Sequence, residues 1–154
     1  MTIDLEKANE IVARFKDVEG ALLECLHALQ HSFGYVPAET LDIMADGFNI
    51  SRAEVHGVIS YYHDFKTSPT GRTVVRVCQA EACQSMGSRH LSEHVQKKLG
   101  INMGETGADG NYSLEAVYCF GNCALSPNIE IDGKLHARVG PDKFDEIINA
   151  GEKL

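Results

Sequence analysis

Four of the five cysteines in the chain lie in two pairs whose spacing suits metal binding. Cys78 and Cys83 form a C-x4-C segment, and Cys119 and Cys123 form a C-x3-C segment. Thiolates are ligands for zinc and for iron–sulfur clusters. If folding brings the two pairs together, four thiols make a metal site, and their spacing bears on which metal it binds.

Zinc and a binuclear iron–sulfur cluster are the two competing interpretations. Structural zinc sites often use cysteines about two residues apart, although spacings up to about four occur. A [2Fe–2S] cluster needs two thiolates on each of two irons, which spreads the ligands. The plant-type C-x4-C-x2-C spacing and the Cys/His alternation of a Rieske centre are both missing from the sequence. The spacing favours a [2Fe–2S] cluster, and a zinc-bound structural adaptor stays open as the alternative.

The residues around the cysteines suit a negatively charged cluster. Many are small, so backbone N–H groups can approach the sulfurs and raise the reduction potential; they are Ala80, Ala82, Gly87, Gly121, Ala124 and Ser126. Glu81 lies in the loop between the first two cysteines, where its charge opposes an added electron, so we expect Glu81→Gln to raise the midpoint potential. A solvated Glu81 without effect is the alternative. Met86 and Phe120 border the cysteine loops and are expected to exclude water.

The first third of the chain predicts helices that pack together. Apolar residues recur at i, i+3, i+4 and i+7, which predicts helices over 8–15, 22–33, 37–47 and 51–62. Gly34 and Gly47 are expected to end the second and third helices. Ser51 and Glu54 have the spacing of a capping box, and Tyr62 closes the apolar stripe of the fourth helix. Residues 1–66 are therefore predicted to form a helical bundle.

The hydrophobic period changes after a linker at residues 67–71. The pattern predicts strands over 73–77 and 112–118, a helix over 88–99, a hairpin over 129–139 and a last helix from Pro141. The order βαβ-ββα over residues 72–154 is that of thioredoxin without its middle helix, and the fold class is α+β. Because the two strands of a βαβ unit run parallel, both cysteine pairs should emerge at one end of the sheet.

Composition excludes several functional classes. The chain has 154 residues with 14 Lys+Arg against 22 Asp+Glu, a net charge of −8, which argues against nucleic acid as a partner. No apolar run is long enough to insert into a membrane, and no export signal opens the chain, so we expect a cytoplasmic protein with reduced thiols. No phosphate-binding loop or nucleophile–base pair is present, so we expect no catalytic residue. Cys25, among leucines on a helix, is expected to be an inert buried thiol.

Four segments carry a resemblance to a known family. VCQAEAC at 77–83, CFGNC at 119–123, HSFGYVP at 31–37 and EVHGVISYYHDF at 54–65 resemble the thioredoxin-like [2Fe–2S] proteins over nearly the whole chain. That family includes the 24-kDa subunit of respiratory complex I and its relatives in NAD-linked hydrogenases and formate dehydrogenases. The four paired cysteines fall on its ligand positions. Complex I subunits typically carry threonines between the first two cysteines; residues 79–82 and 84–87 here look more like the gamma subunit of soluble, molybdenum-dependent, NAD-linked formate dehydrogenase.

The resemblance implies a function beside other subunits. A partner flavoprotein would bind FMN and NAD, this chain would carry a [2Fe–2S] cluster that exchanges electrons with the FMN, and further iron–sulfur subunits would complete the complex. The helical bundle would dock onto such a partner; the alternative is that it only covers one face of the sheet. Besides the zinc adaptor, a thiol–disulfide oxidoreductase ranks last, because the C-x-x-C at a helix start that such chemistry uses is missing.

Overall fold

The chain divides between Pro69 and Thr70 into two units, each with its own buried apolar core. The computed structural model describes residues 3–151, so the outermost residues of the predicted domains, 1–2 and 152–154, lie outside the described residues. Within residues 3–151, no helix is long and apolar enough to cross a membrane.

The described part of the N-terminal unit, residues 3–69, contains four α-helices. They are α1 (Leu5–Phe15), α2 (Leu22–Phe33), α3 (Leu41–Phe48), which follows a 3-10 turn at Ala38–Thr40, and α4 (Arg52–Tyr61). Asp4 caps α1 by accepting from the Lys7 N–H, and the predicted capping box of Ser51 and Glu54 starts α4. Their apolar stripes face a common core that includes Ala8, Ile11, Val12, Cys25, Leu26, Leu29, Met44, Val55 and Ile59.

Three details of these helices differ from the sequence prediction. Helix α3 begins at Leu41, because residues 38–40 form a 3-10 turn where the helix was predicted to start at Pro37. Helix α3 continues through Gly47 and ends at Asn49, which adopts the left-handed conformation. A Cβ on Gly47 would lie 2.5 Å from Cγ1 of Val12, so this glycine permits close packing and is not a stop. Tyr62 follows the last residue of α4 and is exposed, so it does not extend the buried stripe.

The C-terminal unit is built on a four-stranded mixed sheet. Its strands are β1 (Thr73–Cys78), β2 (Tyr112–Val117), β3 (Asn128–Ile131) and β4 (Lys134–Ala137), in the order β2-β1-β3-β4. Strands β1 and β2 are parallel, whereas β3 is antiparallel to both β1 and β4. The predicted hairpin turn falls at Asp132 and Gly133, whose φ angles of 48° and 81° are both positive, as the tight turn requires.

Three helices complete this unit: α5 (Glu81–Ser85), α6 (Ser88–Leu99) and α7 (Pro141–Gly151). Alternate residues of the strands meet α6 and α7 in a core that includes Val75, Val77, Leu91, Val95, Leu114, Ile129, Phe144 and Ile148. The other alternate residues include Arg76, whose guanidinium lies 3.1 Å from both Glu115 and Glu130 on the neighbouring strands. The sheet therefore has one apolar face under the helices and one face carrying charge, and the predicted βαβ-ββα order is confirmed.

Candidate metal centre

The parallel pair of strands brings the two cysteine segments to one edge of the sheet. Cys78 is the last residue of β1 and stands opposite Val117, the last residue of β2. Cys119 follows Val117 by two positions. Because parallel strands end at the same edge, the segments that follow them begin side by side.

The first pair is buried. Cys78 and Cys83 are 1% and 2% exposed, and their side chains are hydrogen-bonded to each other. Backbone N–H groups of Ala80 and Phe120 donate to the Cys78 sulfur, so the second cysteine segment already contributes a donor to the first. Because both side chains are buried, water has little access to these two sulfurs.

Cys83 lies on a helix where we predicted a loop. Helix α5 spans only Glu81–Ser85, too short for an apolar repeat to show in the sequence. The chain direction then changes at Gly87, whose φ of 96° is left-handed and whose carbonyl starts α6. The short helix turns the Cys83 side chain inward, whereas Glu81 in its first turn is exposed.

The second pair lies at the surface. The sulfurs of Cys119 and Cys123 are 3.6 Å apart, and both residues are exposed. Cys119 has a φ of 115° and Gly121 a φ of 79°, so the loop turns sharply between the two cysteines. This turn points the Gly121 N–H at the Cys119 sulfur, at 3.2 Å.

The thiol pKa values follow these surroundings. Burial raises the pKa of Cys78. Burial also acts to raise the pKa of Cys83, but hydrogen bonds with Ser126, Cys78 and Asn128 outweigh it, and the net shift is downward. The neighbouring Cys119, by its hydrogen bond and its charge, raises the pKa of Cys123, and the charge of Cys83 adds to this. The electrostatic influence between thiols therefore runs from Cys83 to Cys78, from Cys119 to Cys123 and, across the pairs, from Cys83 to Cys123.

Asn128 was not among the residues predicted around the cysteines, and Ser126 was noted only for its small size. Both are buried and lie against the Cys83 sulfur, with Ser126 Oγ at 3.4 Å and Asn128 Nδ2 at 3.6 Å. The only signal in the sequence was a buried-type strand, NIEI, that opens on a polar residue five positions after Cys123.

The four cysteines form two close pairs, an arrangement compatible with the ligand set of a binuclear cluster. Among residues 3–151, no group of three or more His, Cys, Asp or Glu side chains is arranged to hold one metal ion. One cysteine pair is buried and the other lies at the surface, and the Phe120 N–H links them. Two thiolates for each of two irons is the ligand set of a [2Fe–2S] cluster.

Comparison with known proteins identifies the family. Residues 8–152 match the family described as thioredoxin-like [2Fe-2S] ferredoxin. The chain belongs to this family. Its cofactor is accordingly a [2Fe–2S] cluster, as the cysteine spacing predicted. The family therefore favours this cluster over the alternative of a structural zinc ion.

Individual relatives of this thioredoxin-like ferredoxin are subunits of larger enzymes. A subunit of the NADH-quinone oxidoreductase of Pseudomonas aeruginosa is 33% identical over 88% of this chain and 82% of its own. NADP-reducing hydrogenase subunit HndA of Solidesulfovibrio fructosivorans is 33% identical over 84% of this chain and 76% of its own. The crystal structure of an air-oxidized NAD+-reducing [NiFe]-hydrogenase superimposes with a TM-score of 0.74 at 22% identity, over 84% of this chain and only 22% of that one, and shows the same fold.

The remaining residues predicted around the cluster are placed as follows in this ferredoxin. Phe120 is half-buried between the two cysteines of the second pair and gives its N–H to Cys78. Met86 is 62% exposed, so its role in excluding water stays a prediction. Cys25 is fully buried in the N-terminal unit, where burial raises its pKa to about 11, which suits the inert thiol we predicted.

Proposed function

We propose that the chain is the electron-transfer subunit of a multi-subunit NAD-linked oxidoreductase, with Cys78, Cys83, Cys119 and Cys123 as ligands of its [2Fe–2S] cluster. The observation that carries the proposal is the convergence of the two cysteine pairs at one sheet edge. When bound, the cluster supplies one-electron redox chemistry. The chain itself contributes the ligands, the N–H donors and the burial.

The two cysteine pairs differ in exposure, and this difference indicates which side of the site can face a partner protein. Cys78 and Cys83 anchor the site inside the C-terminal unit, whereas Cys119 and Cys123 are at the surface beside Tyr118, which is 78% exposed. An exposed aromatic side chain next to surface ligands is suited to contact with a partner protein. We therefore place electron exchange on the side of Cys119 and Cys123.

The partner in this proposal is a flavoprotein subunit that binds FMN and NAD, together with further iron–sulfur subunits. Support comes from the relatives, whose names describe subunits of NADH- and NADP-linked enzymes. We assign docking to the helical residues 1–66, where Tyr61 and Tyr62 form an exposed aromatic pair with ring centroids 5.0 Å apart. The thioredoxin-like domain, 72–154, carries the cluster, and the complex is placed in the cytoplasm.

A finer proposal concerns the substrate, and formate oxidation to CO2 is our first choice. Its support is the resemblance of residues 79–82 and 84–87 to the gamma subunit of soluble NAD-linked formate dehydrogenase, whereas complex I subunits typically carry threonines between the first two cysteines. In this chain Gln79 and Gln84 form hydrogen bonds that stabilise this segment. Gln79 Nε2 donates to Ser92 Oγ at 2.6 Å, and Gln84 Nε2 donates to the Gln79 carbonyl at 2.7 Å. A complex I-type or hydrogenase-type subunit is the alternative, supported by the relatives at 33% identity.

The test is anaerobic purification of the intact complex by an affinity tag on this chain. We expect a flavin-containing, NADH-oxidising subunit to co-purify, and NADH to produce an EPR signal of a reduced [2Fe–2S] cluster. Formate and hydrogen, added separately, identify the substrate by which of them produces the same signal. A chain that purifies with about one zinc and without iron would contradict the proposal and indicate a structural adaptor.

A further inference from the structure

The side-chain amide of Asn128 is buried against the Cys83 sulfur. Asn128 is the first residue of β3 and is 1% exposed. Its Nδ2 lies 3.6 Å from Cys83 Sγ, a distance at which an N–H can donate to sulfur. A buried polar side chain normally has a full set of hydrogen-bond partners, so each of the amide's contacts is informative.

Asn122 determines which way this amide points. Asn122 Nδ2 donates to Asn128 Oδ1 at 2.9 Å, and Asn128 Nδ2 donates to the Asn122 carbonyl at 2.8 Å. Rotating the amide by 180° would set donor against donor and acceptor against acceptor, so only one orientation satisfies both bonds. In that orientation the second hydrogen of Nδ2 is available to Cys83, and the amide oxygen is engaged with Asn122.

A donor held at a ligand sulfur acts on the reduction potential. Reduction adds one negative charge to the cluster and its thiolates, and an N–H dipole directed at a sulfur stabilises the reduced state more than the oxidised state. The effect is large where water is excluded, and Cys83 is 2% exposed. Ser126 Oγ, at 3.4 Å, is a second polar group at the same sulfur, but its one hydrogen is donated to the Cys123 carbonyl at 2.7 Å.

We propose that Asn128, held by Asn122, raises the reduction potential of the cluster through an N–H donated to the Cys83 sulfur. Asn122 is a positioning residue, because it acts through Asn128. The inference rests on the proposed ligation by Cys83. It attributes part of the reduction potential to two side chains, Asn122 in the second cysteine segment and Asn128 at the start of β3.

The test compares midpoint potentials of Asn128→Leu, Asn122→Ala and the wild-type chain by EPR-monitored titration, with iron counted on each sample. Leucine resembles asparagine in shape but has no donor. We expect Asn128→Leu to lower the ratio of reduced to oxidised cluster about tenfold at a fixed ambient potential, equivalent to about 59 mV for a one-electron couple. Asn122→Ala should lower it less, because the Asn122 backbone carbonyl still holds the amide.

The control is Asn102→Ala, an exposed asparagine whose side chain is bonded to Glu105, and it should leave the potential unchanged. Equal potentials in all variants that retain two irons would overturn the inference while leaving the proposed function intact. A variant that folds but loses its iron would show that Asn128 is needed for assembly and would also overturn the tuning role. If Asn128→Leu does not fold, Asn122→Ala decides. A wild-type chain without a [2Fe–2S] signal would instead contradict the proposed function itself.

Discussion

Replacing Gly121 with alanine should lower the midpoint potential of the cluster. Its loss of folding stability should be no larger than that of a glycine-to-alanine change at another left-handed position. Gly121 has a φ of 79°, and a Cβ there would meet nothing within 4 Å. The substitution therefore introduces backbone strain but no clash. A left-handed alanine costs about 1–2 kcal/mol, which the loop can relieve only by rotating its peptide groups.

The consequence for the site follows from one hydrogen bond. The Gly121 N–H donates to the Cys119 sulfur at 3.2 Å, and a rotated loop withdraws that donor. The net contribution of such a bond is about 0.5–1.5 kcal/mol. If it stabilises the reduced state by that amount, its loss lowers the midpoint potential by about 20–65 mV for one electron.

Gly133→Ala is a matched control for the strain. Gly133 lies in the β3–β4 hairpin with a φ of 81°, and a Cβ added there would also meet nothing within 4 Å, but it lies outside both cysteine segments. Denaturant unfolding should show a similar loss of stability for both variants. EPR-monitored titration and the rate of iron release to a chelator should show an effect of Gly121→Ala alone.

Gly121→Asn completes the comparison, because asparagine adopts left-handed φ angles more readily than alanine does. It should restore most of the wild-type potential. A wild-type potential in Gly121→Ala, or an equal shift in Gly133→Ala, would contradict the role of the Gly121 N–H.

Three further predictions concern charge, capping and pH. Glu81→Gln should raise the midpoint potential because it removes a negative charge from the first turn of α5. Glu93→Gln, on an exposed part of α6, should leave the potential unchanged. Equal shifts of the two variants in an EPR titration would contradict this prediction. Ser51→Ala removes the cap that accepts from the Glu54 N–H and should destabilise the chain by about 1 kcal/mol in urea unfolding, against little change for Ser60→Ala near the end of α4. Burial, and then the charges of Lys134 and Lys143, lower the pKa of His136; the stability this gives is present above the unfolded value of about 6.5 and is lost as the pH falls through the lower folded value. His136→Gln should therefore flatten the fall in Tm between about pH 7 and pH 5, and an unchanged slope would argue against it.

The elements of the fold could be predicted wherever a periodic apolar pattern had room to repeat. Helices α1, α2, α6 and α7, the parallel pair β1 and β2, and the Asp132-Gly133 hairpin all have such patterns or a specific turn dipeptide. Helix α5 could not be predicted, because five residues are too few for a helical period. Gly47 was misread because a stop and a close packing contact both select glycine, and only the neighbouring Val12 distinguishes them.

The site could be predicted in its cysteines but not in its polar partners. Cysteine pairs after two strands are a local pattern, and the parallel pairing of those strands places them at one edge. Asn128 and Ser126 reach the Cys83 sulfur only because antiparallel β3 lies beside β1, a contact between residues more than 40 positions apart that no local spacing displays. Their role depends on tertiary packing.

Cluster content of single cysteine variants tests the central claim most directly. Iron, acid-labile sulfide and zinc would be counted on anaerobically purified wild-type chain, Cys83→Ala and Cys25→Ala, with EPR before and after dithionite. We predict about two irons and two sulfides with a signal only on reduction for wild type and Cys25→Ala, and loss of that cluster in Cys83→Ala. Iron retained in full by Cys83→Ala, or about one zinc in the wild-type chain, would contradict a [2Fe–2S] cluster held by these four cysteines.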